Sequence, residues 1–354
     1  MTTTLHPSII ALETTVPRHK MTQAMALSFA RSHFGPHIPD LERLLPIFAN
    51  SGIESRYLSV PVEWLDKVHS LEEKNSLYIE TATELCRVAT ENALASAKVD
   101  RNEIDYIIYI NTTGIATPSS DARLINLLGL RPNIRRTPIW GLGCAGGVAG
   151  LSHAYHYLLG HPESTVLLVC AELCSLTFLA DDYSRSNLVA SALFGDGAAA
   201  VILKNATAPD GLQLVATNSR FYPDSLDVMG WNVVGAGLQV VFAQRIPDIV
   251  ADHANEDISS FLRTHRLTFD DLDQYLFHPG GTKVLAAYEQ ALGISDEKLA
   301  HSRLTLRDFG NMSSVTVLFV LKRYLEQADR LRDRFSLISA LGPGFCSESV
   351  VVRS

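Results

Sequence analysis

Strand-like and helix-like segments alternate along almost the whole chain of 354 residues. Apolar runs at residues 104–111 and 166–171 predict buried strands, and residues 70–97 predict a long helix opened by a capping box of Ser70 and Glu73. This order predicts an α/β protein whose sheets are covered by helices on both faces. Further strands are expected at residues 137–140, 198–203, 275–278, 335–340 and 349–352, and further helices at residues 41–45, 121–128, 148–159, 249–265, 284–292 and 315–326.

The two halves of the chain share one plan. Each contains a strand, a tight turn of small residues and a long apolar helix, with the turns at residues 141–147 and 309–314. The best break between them is the turn-rich segment NATAPDG at residues 205–211. We therefore expect two similar halves, residues 1–207 and 208–354, that are joined by a short connection and packed tightly together.

Composition excludes several classes of protein. The 30 basic and 38 acidic residues give a net charge of −8, whereas a general nucleic-acid binder needs a basic surface. No apolar run reaches the roughly 18 residues of a membrane-spanning helix, and the amino terminus does not have the pattern of a secretory signal. The five cysteines show no metal-ligand spacing. The sequence predicts a reduced, cytoplasmic protein with no metal site, no bound nucleic acid and no stable membrane insertion.

The most informative segment is GLGCAGG at residues 141–147, in which Cys144 follows a strand and opens a helix. Glycines on both sides permit a tight turn and let a ligand approach the backbone. The amino terminus of a helix favours thiolate, so the pKa of this thiol is expected to fall below its usual value of about 8.5, as suits a nucleophile. A small buried cysteine in a glycine-rich turn explains the segment equally well.

Two further segments place a polar side chain at a strand–turn–helix junction. His278, in FHPGGT, could take a proton from the thiol, although a lone histidine bonded to backbone is the simpler interpretation. Asn311, in FGNMSS, could donate its amide to an oxyanion, although an asparagine at a helix start is usually an N-cap. Together with Cys144, they indicate one active site that only the fold could assemble. Papain-like proteases use the same three residue types, but their cysteine motif is absent here.

Six motifs follow one another along almost the whole chain. They are GCAGG around Cys144, AELCSLTF at 171–178, ALFGDGAAA at 192–200, HPGG at 278–281, GNMSS at 310–314 and GPGF at 342–345. In this order they resemble the thiolase superfamily and, more closely, the type III polyketide synthases, the chalcone synthase-like family. The resemblance implies a thiolase-like αβαβα fold of five layers, and a homodimeric acyltransferase that uses acyl-CoA and malonyl-CoA as substrates without a cofactor.

The resemblance also implies a role for each candidate residue. Cys144 would carry the acyl group, and His278 would keep it as thiolate. Together with Asn311, this histidine would stabilise the enolate that remains when malonyl-CoA loses CO2. Phe194 matches the aromatic residue between the CoA tunnel and the cavity. Substrate contacts are also expected from Gly280 and Gly281 along the pantetheine arm, from Ser313, and from the cavity-wall loop of Gly342, Pro343 and Gly344.

Several positions depart from the plant chalcone synthases. Thr117 stands before a proline where those enzymes have a methionine that reaches across the dimer. Val240 replaces a cavity phenylalanine, and Trp231 is bulkier than expected beside that strand. Cys174 and Thr177 are expected to line the same cavity. The smaller residues indicate an elongated tunnel that suits a long aliphatic starter.

This pattern resembles bacterial members of the family that make alkylpyrones or alkylresorcinols from fatty acyl-CoA. We therefore predict decarboxylative condensation of a long-chain acyl-CoA starter with malonyl-CoA, giving tri- and tetraketides. Arg43 matches one of the family's basic residues for the CoA phosphates, whereas neutral residues stand at the others. Two alternatives stay open, namely a single condensation like that of β-ketoacyl-ACP synthase III, and a catalytically silent thiolase-fold protein that only binds acyl chains.

Overall fold

The computed structural model of the chain describes residues 5–207, 211–326 and 333–354. Its strands are β1 His6–Thr15, β2 His19–Thr22, β3 Ser55–Leu58, β4 Ile104–Asn111, β5 Arg135–Trp140, β6 Thr165–Leu173, β7 Asp196–Ala206, β8 Leu212–Phe221, β9 Met229–Val234, β10 Gly237–Phe242, β11 Leu272–Phe277, β12 Phe335–Gly342 and β13 Cys346–Arg353. Its helices are α1 Gln23–Phe34, α2 Pro46–Asn50, α3 Val62–Leu65, α4 Leu71–Ala97, α5 Ser120–Leu128, α6 Gly146–Gly160, α7 Arg185–Leu193, α8 Ile246–Thr264, α9 Thr282–Leu292, α10 Ala300–Phe309 and α11 Thr316–Leu325.

Nine of the described strands form one mixed sheet, in the order β11-β12-β13-β8-β1-β7-β6-β4-β5. β4 runs parallel to β5 and β6, and β11 runs parallel to β12, whereas the other neighbours are antiparallel. β1 pairs with β7 along its whole length but meets β8 only at Ser8–Gln213 and Ile9–Leu212. At this seam the sheet divides into five strands from the first part of the chain and four from the second.

The helices and the two parts of the sheet form five layers. Alternate residues of β4 belong to different cores, because Ile107 packs in the core that contains α4, and Ile108 in the core that contains α6 and α11. In β13 the same alternation places Val350 in the α6–α11 core and Val351 in the core that contains α8 and α9. The α6–α11 layer therefore lies between the two parts of the sheet. The predicted αβαβα arrangement is confirmed.

Most predicted elements are present, with ends shifted by a few residues. β1, at the seam of the sheet, was not predicted, and neither was the β9–β10 hairpin. The predicted capping box forms only in part: Ser70 Oγ accepts from the N–H of Glu73, but the Glu73 carboxylate lies 2.8 Å from Nδ1 of His69 instead. The predicted connection at residues 205–211 lies partly outside the described residues, and the division at residue 207 stays a prediction.

Two features lie outside the large sheet. β9 and β10 form a separate two-stranded antiparallel sheet, as do β2 and β3. The β9–β10 hairpin lies beside the pocket described below, to which it contributes Trp231 and Val240. Within the described part of the chain, each helix is too short or too polar to cross a membrane.

Candidate active site

The three polar side chains selected from the sequence come together at one pocket. Cys144, His278 and Asn311 line a pocket of about 290 Å3, which we call the thiol pocket, together with Gly280 and several apolar side chains. Cys144 lies beyond the end of β5, His278 directly follows β11, and Asn311 follows α10. Ligand sites in α/β proteins lie beyond the carboxyl ends of strands. The fold therefore places all three groups within reach of one bound molecule.

A short 3₁₀ turn, Gly143–Ala145, leads Cys144 into the amino terminus of α6. Gly143 has a φ angle of +48°, which favours glycine, and a Cβ at this position would lie 2.6 Å from Cδ of Pro343. The thiol is buried, and its Sγ lies 3.7 Å from Oγ of Ser313. The glycine thus allows the loop that contains Pro343 to pack directly on the cysteine turn.

Asn311 uses both ends of its carboxamide. Its Oδ1 accepts a hydrogen bond of 2.9 Å from the N–H of Ser313, two residues on, whereas Met312 is the N-cap residue of the short turn that follows. Its Nδ2 donates to the carbonyl of Gly280 over 3.4 Å, on the wall of the thiol pocket. The oxygen therefore anchors the side chain while the NH2 group stays beside the pocket.

The backbone of Asn311 is tied to the segment that carries Phe194. Its N–H donates to the carbonyl of Leu193, and its own carbonyl accepts from the N–H of Gly195, both over 2.9 Å. The Phe194 ring lies 6.2 Å from the ring of Trp231. The predicted aromatic residue of the cavity and the amide donor of the thiol pocket are therefore joined through backbone hydrogen bonds.

His278 is held by its backbone, with its ring left unpaired. Its N–H donates to the carbonyl of Ser339 in β12 over 2.8 Å. The ring is buried, yet neither Nδ1 nor Nε2 has a hydrogen-bond partner among the described residues. Buried polar atoms are normally paired, and here both ring nitrogens stay available to another group at the pocket wall. The simpler interpretation, a ring bonded to backbone, does not hold in this part of the chain.

Burial dominates the electrostatics of the pocket. It raises the pKa of the Cys144 thiol to about 12, and the Glu172 carboxylate adds to this increase, whereas hydrogen bonds from Ser313 and Asn311 oppose it. Burial also lowers the pKa of His278 to about 3. The expected fall in the pKa of the thiol is therefore wrong, because removal of the sulfur from water outweighs the helix amino terminus.

The same burial favours transfer of a proton between the two groups over ionisation of either one alone. A proton that moves from the thiol to the imidazole leaves the pocket without net charge. The resulting thiolate and imidazolium also attract each other strongly where little water screens them. Among the described residues no hydrogen bond joins the thiol of Cys144 to the ring of His278, so their pairing stays a prediction.

Glu172, a fully buried carboxylate near the end of β6, is not among the residues that the sequence motifs indicate. Its Oε2 accepts hydrogen bonds from both N–H groups of Thr112 and Thr113 and from the Thr113 hydroxyl, and its Oε1 accepts from the Ser314 hydroxyl over 2.6 Å. The Thr112 hydroxyl accepts in turn from the N–H of Gly143, over 3.1 Å. Burial raises the pKa of Glu172 to about 7. The only signal in the sequence was one acidic residue in the apolar run TVLLVCAEL.

Two further cavities share side chains with each other, and the nearer one also reaches the thiol. The middle cavity, of about 350 Å3, is lined by Cys144, Trp231 and Val240 together with Phe194. The far cavity, of about 450 Å3, is lined by Cys174 and by the same Phe194 and Val240. These two side chains therefore lie at the junction of the cavities.

Most of the other predicted substrate contacts lie near these cavities. Thr177 lines the far cavity, whereas Ser313 and Pro343 line the middle one. Gly342 and Gly344 flank Pro343 without lining these spaces. A Cβ on Gly342 would lie 2.5 Å from the Leu142 carbonyl, and one on Gly344 would lie 3.1 Å from the Phe221 ring.

Three predicted contacts lie elsewhere in the single chain. Gly281 follows Gly280 and precedes α9, where a Cβ would meet open space. Thr117 is exposed and does not line the three cavities. Arg43 is also exposed, with its guanidinium 3.6 Å from the Asp40 carboxylate.

Both parts of the chain match the models of one enzyme family. Residues 3–207 match the N-terminal domain of chalcone and stilbene synthases, and residues 213–354 match their C-terminal domain. The chain belongs to the chalcone and stilbene synthase family. It is thus a type III polyketide synthase, an enzyme of the acyltransferase type, as the resemblance predicts. This membership disfavours the single-condensation and silent alternatives.

Similar proteins match over nearly their whole length. A protein from Bacillus subtilis (strain 168), provisionally named a chalcone synthase, is 40% identical over 352 residues that cover 96% of each chain. The 1,3,6,8-tetrahydroxynaphthalene synthase of Streptomyces peucetius subsp. caesius is 38% identical over 350 residues, covering 98% of this chain and 93% of that protein. The crystal structure of 1,3,6,8-tetrahydroxynaphthalene synthase from Streptomyces coelicolor A3(2), a bacterial type III polyketide synthase, superposes with a TM-score of 0.94 and 28% identity over 98% of this chain and 99% of that one.

Proposed function

We propose that this type III polyketide synthase loads a long-chain acyl group from acyl-CoA onto Cys144 and extends it with malonyl-CoA. The products are tri- and tetraketides that close to alkylpyrones, with alkylresorcinols as the products of aldol closure. The observation that carries this proposal is that the middle cavity, which reaches the thiol, shares Phe194 and Val240 with the far cavity. We infer that the acyl chain passes between these two side chains.

The far cavity suits an aliphatic chain. Its apolar lining comes from Met21, Phe29, Leu58, Leu65 and Phe178. Two of its polar side chains already bond to backbone carbonyls: the Asn187 amide donates to those of residues 179 and 182, and the Arg56 guanidinium to those of residues 191 and 192. An apolar ligand therefore leaves these groups paired and gains the burial of its own surface.

Loading is an exchange of one thioester for another. His278 takes the proton of Cys144, the thiolate attacks the acyl-CoA carbonyl, and CoA leaves as its thiolate. The amide NH2 of Asn311 and the imidazole then lie beside the thioester oxygen, where they stabilise negative charge as it develops. Since sulfur replaces sulfur, little free energy separates the acyl-CoA from the acyl-enzyme.

Extension uses the same donors. The carboxylate of malonyl-CoA departs as CO2, and the enolate left on the thioester oxygen accepts hydrogen bonds from His278 and Asn311. The carbanion carbon attacks the acyl group on Cys144, a C–C bond forms and the sulfur leaves as thiolate. The lengthened chain, now on CoA, returns to the cysteine for the next round.

Two exposed residues complete the proposal. Arg43 would bind a CoA phosphate after its guanidinium leaves Asp40, so Arg43→Ala should raise KM for acyl-CoA and malonyl-CoA alike. Thr117 would complete the cavity of a second copy in a homodimer, as its exposure in one chain allows. Sedimentation of the purified protein tests the dimer.

The substrate assay uses the purified protein, malonyl-CoA and a series of acyl-CoA thioesters from acetyl to stearoyl, with products identified by mass spectrometry. We expect tri- and tetraketides whose yield peaks with a long acyl chain. A polyketide made from malonyl-CoA alone, with every long acyl-CoA refused, would contradict the starter. That outcome would instead favour an aromatic product without an alkyl chain, as named for the tetrahydroxynaphthalene synthases.

A matched pair of variants tests the passage itself. Val240→Phe places a ring at the junction of the middle and far cavities and should shift the preferred starter towards shorter chains. Val233→Phe adds the same ring to the same hairpin at a side chain that is 65% exposed, and it should leave the preference unchanged. An unchanged chain-length profile for Val240→Phe would show that the acyl chain takes another path.

A further inference from the structure

Lys74 is a buried lysine in the first turns of α4, only 5% exposed. A buried ammonium group is unfavourable unless its donors are paired. Here Nζ donates to the carbonyl of Phe178 over 2.9 Å and to the carbonyl of Ala236 over 3.2 Å. Burial lowers the pKa of Lys74, and the nearby carboxylates of Asp181 and Glu73 oppose this shift. The two carbonyls therefore stabilise the buried ammonium group, and the ammonium group in turn holds both carbonyls in place.

The two carbonyls belong to segments that are far apart in the chain. Phe178 directly follows the 3₁₀ turn Cys174–Thr177, which lines the far cavity. Ala236 lies in the turn between β9 and β10, the hairpin that carries Trp231 and Val240. Lys74 is thus a bridge between the two walls that meet at the junction of the cavities.

The hairpin is a part of the cavity wall that can be displaced, because it is not hydrogen-bonded to the nine-stranded sheet within the described residues. A second tie acts in the same place, since Nε2 of Gln239 donates to the Asp182 carboxylate over 3.1 Å. Both ties join β10 or its turn to the segment that follows residue 177. These two polar contacts therefore hold β10 and its turn against the segment that follows residue 177.

We propose that Lys74 is a positioning residue that sets the width of the acyl passage, and hence the choice of starter, by holding the Phe178 and Ala236 carbonyls together. It acts through Trp231 and Val240 and touches no reacting atom. The inference rests on the proposed function, because it assigns a cause to the chain-length preference of that same site.

The test compares Lys74→Met, which keeps the aliphatic stem and removes the donors, with Lys74→Arg, which restores donors, and with Lys67→Met, which changes an exposed lysine. For Lys74→Met we expect KM for the preferred starter to rise about tenfold, kcat to change little, and the preferred chain length to shift. Lys74→Arg should recover the wild-type preference in part, and Lys67→Met should match wild type. Decarboxylation of malonyl-CoA without a starter should stay within about twofold in all three, because the thiol pocket is intact.

Two results would overturn the inference. One is a wild-type starter profile and KM in Lys74→Met. The other is an equal loss of decarboxylation and condensation, which would indicate general damage. If Lys74→Met does not fold, Gln239→Met decides, since it loosens the same hairpin and must shift the profile in the same direction.

The failure of the proposed function is distinguishable from the failure of this inference. Each comparison is a ratio to wild type, measured with whichever starter the wild-type enzyme takes best. If the wild-type enzyme does not accept long acyl-CoA, the starter assignment is refuted. The ratio of variant to wild-type KM can still be measured with the starter that the wild-type enzyme does accept. If no product forms, acylation of Cys144, read by mass spectrometry, supplies the same ratio.

Discussion

Replacement of Glu172 by glutamine should remove a loss of stability that the wild-type enzyme suffers as pH rises. The carboxyl is fully buried, and its four hydrogen bonds come from neutral donors of Thr112, Thr113 and Ser314. Burial raises its pKa from 4.5 to about 7. Between these values the folded protein keeps a proton that the unfolded chain releases, so folding becomes less favourable as pH increases through this window.

The size of the effect follows from the shift. Each unit is about 1.4 kcal/mol, so the change from 4.5 to about 7 costs roughly 3 kcal/mol above pH 7 and almost nothing below pH 4.5. Glutamine can keep the network, because its oxygen can accept the three bonds made to Oε2 while its NH2 group donates to the Ser314 hydroxyl. Glu172→Gln therefore keeps the packing around residue 172 and removes the group that titrates.

Thermal unfolding of wild type and Glu172→Gln, at a fixed scan rate from pH 5 to pH 8, measures this pH-dependent loss of stability. Unfolding entropy near 2.1 cal/mol/K per residue makes 3 kcal/mol equivalent to about 4 °C for 354 residues. We expect Tm of Glu172→Gln minus Tm of wild type to rise by about that amount over the range, while exposed Glu163→Gln shows a flat difference. A flat difference for Glu172→Gln as well would show that this carboxyl does not titrate between pH 5 and pH 8.

Three further predictions concern the thiol pocket. Wild-type Cys144 should be alkylated by iodoacetamide near neutral pH. In His278→Gln the alkylation rate should rise only towards pH 10 and above, because burial leaves the thiol pKa near 12 and no imidazole is present to accept the proton. Identical pH–rate profiles for the two proteins would rule out proton transfer from Cys144 to His278. Cys144→Ala should abolish acyl loading. His278→Ala and Asn311→Ala should keep some loading, and their rate of malonyl-CoA decarboxylation should fall by tenfold or more. A wild-type decarboxylation rate in Asn311→Ala would refute the role of Asn311 in stabilising the enolate. Gly147→Ala should lower Tm and activity, because the added Cβ would lie 2.3 Å from a backbone carbonyl oxygen. Gly160→Ala should leave both unchanged, because a Cβ at that position meets nothing within 4 Å. Equal Tm values for the two variants would contradict this packing argument.

Local sequence was enough to select the three polar groups that meet at the thiol pocket, because each lies in its own strand–turn–helix motif. Gly143 shows why such a motif is readable: its positive φ and its contact with Pro343 leave room for glycine alone. Elements with clear apolar periodicity, such as β4 and α4, were predicted for the same reason. The resemblance to type III polyketide synthases depended on the order of several such motifs, not on any one of them.

Only the tertiary structure decided the environment of these groups. The helix amino terminus alone favours a thiolate at Cys144, but burial by distant segments reverses the direction of the shift, and no local pattern records that burial. Glu172 and Lys74 look in the sequence like one acid in a strand and one base on a helix surface, because their partners lie 59 to 162 positions away along the chain. Spacing between neighbours fixes turns and periodicity, whereas charge, proton affinity and passage width depend on which remote backbone groups the fold brings together.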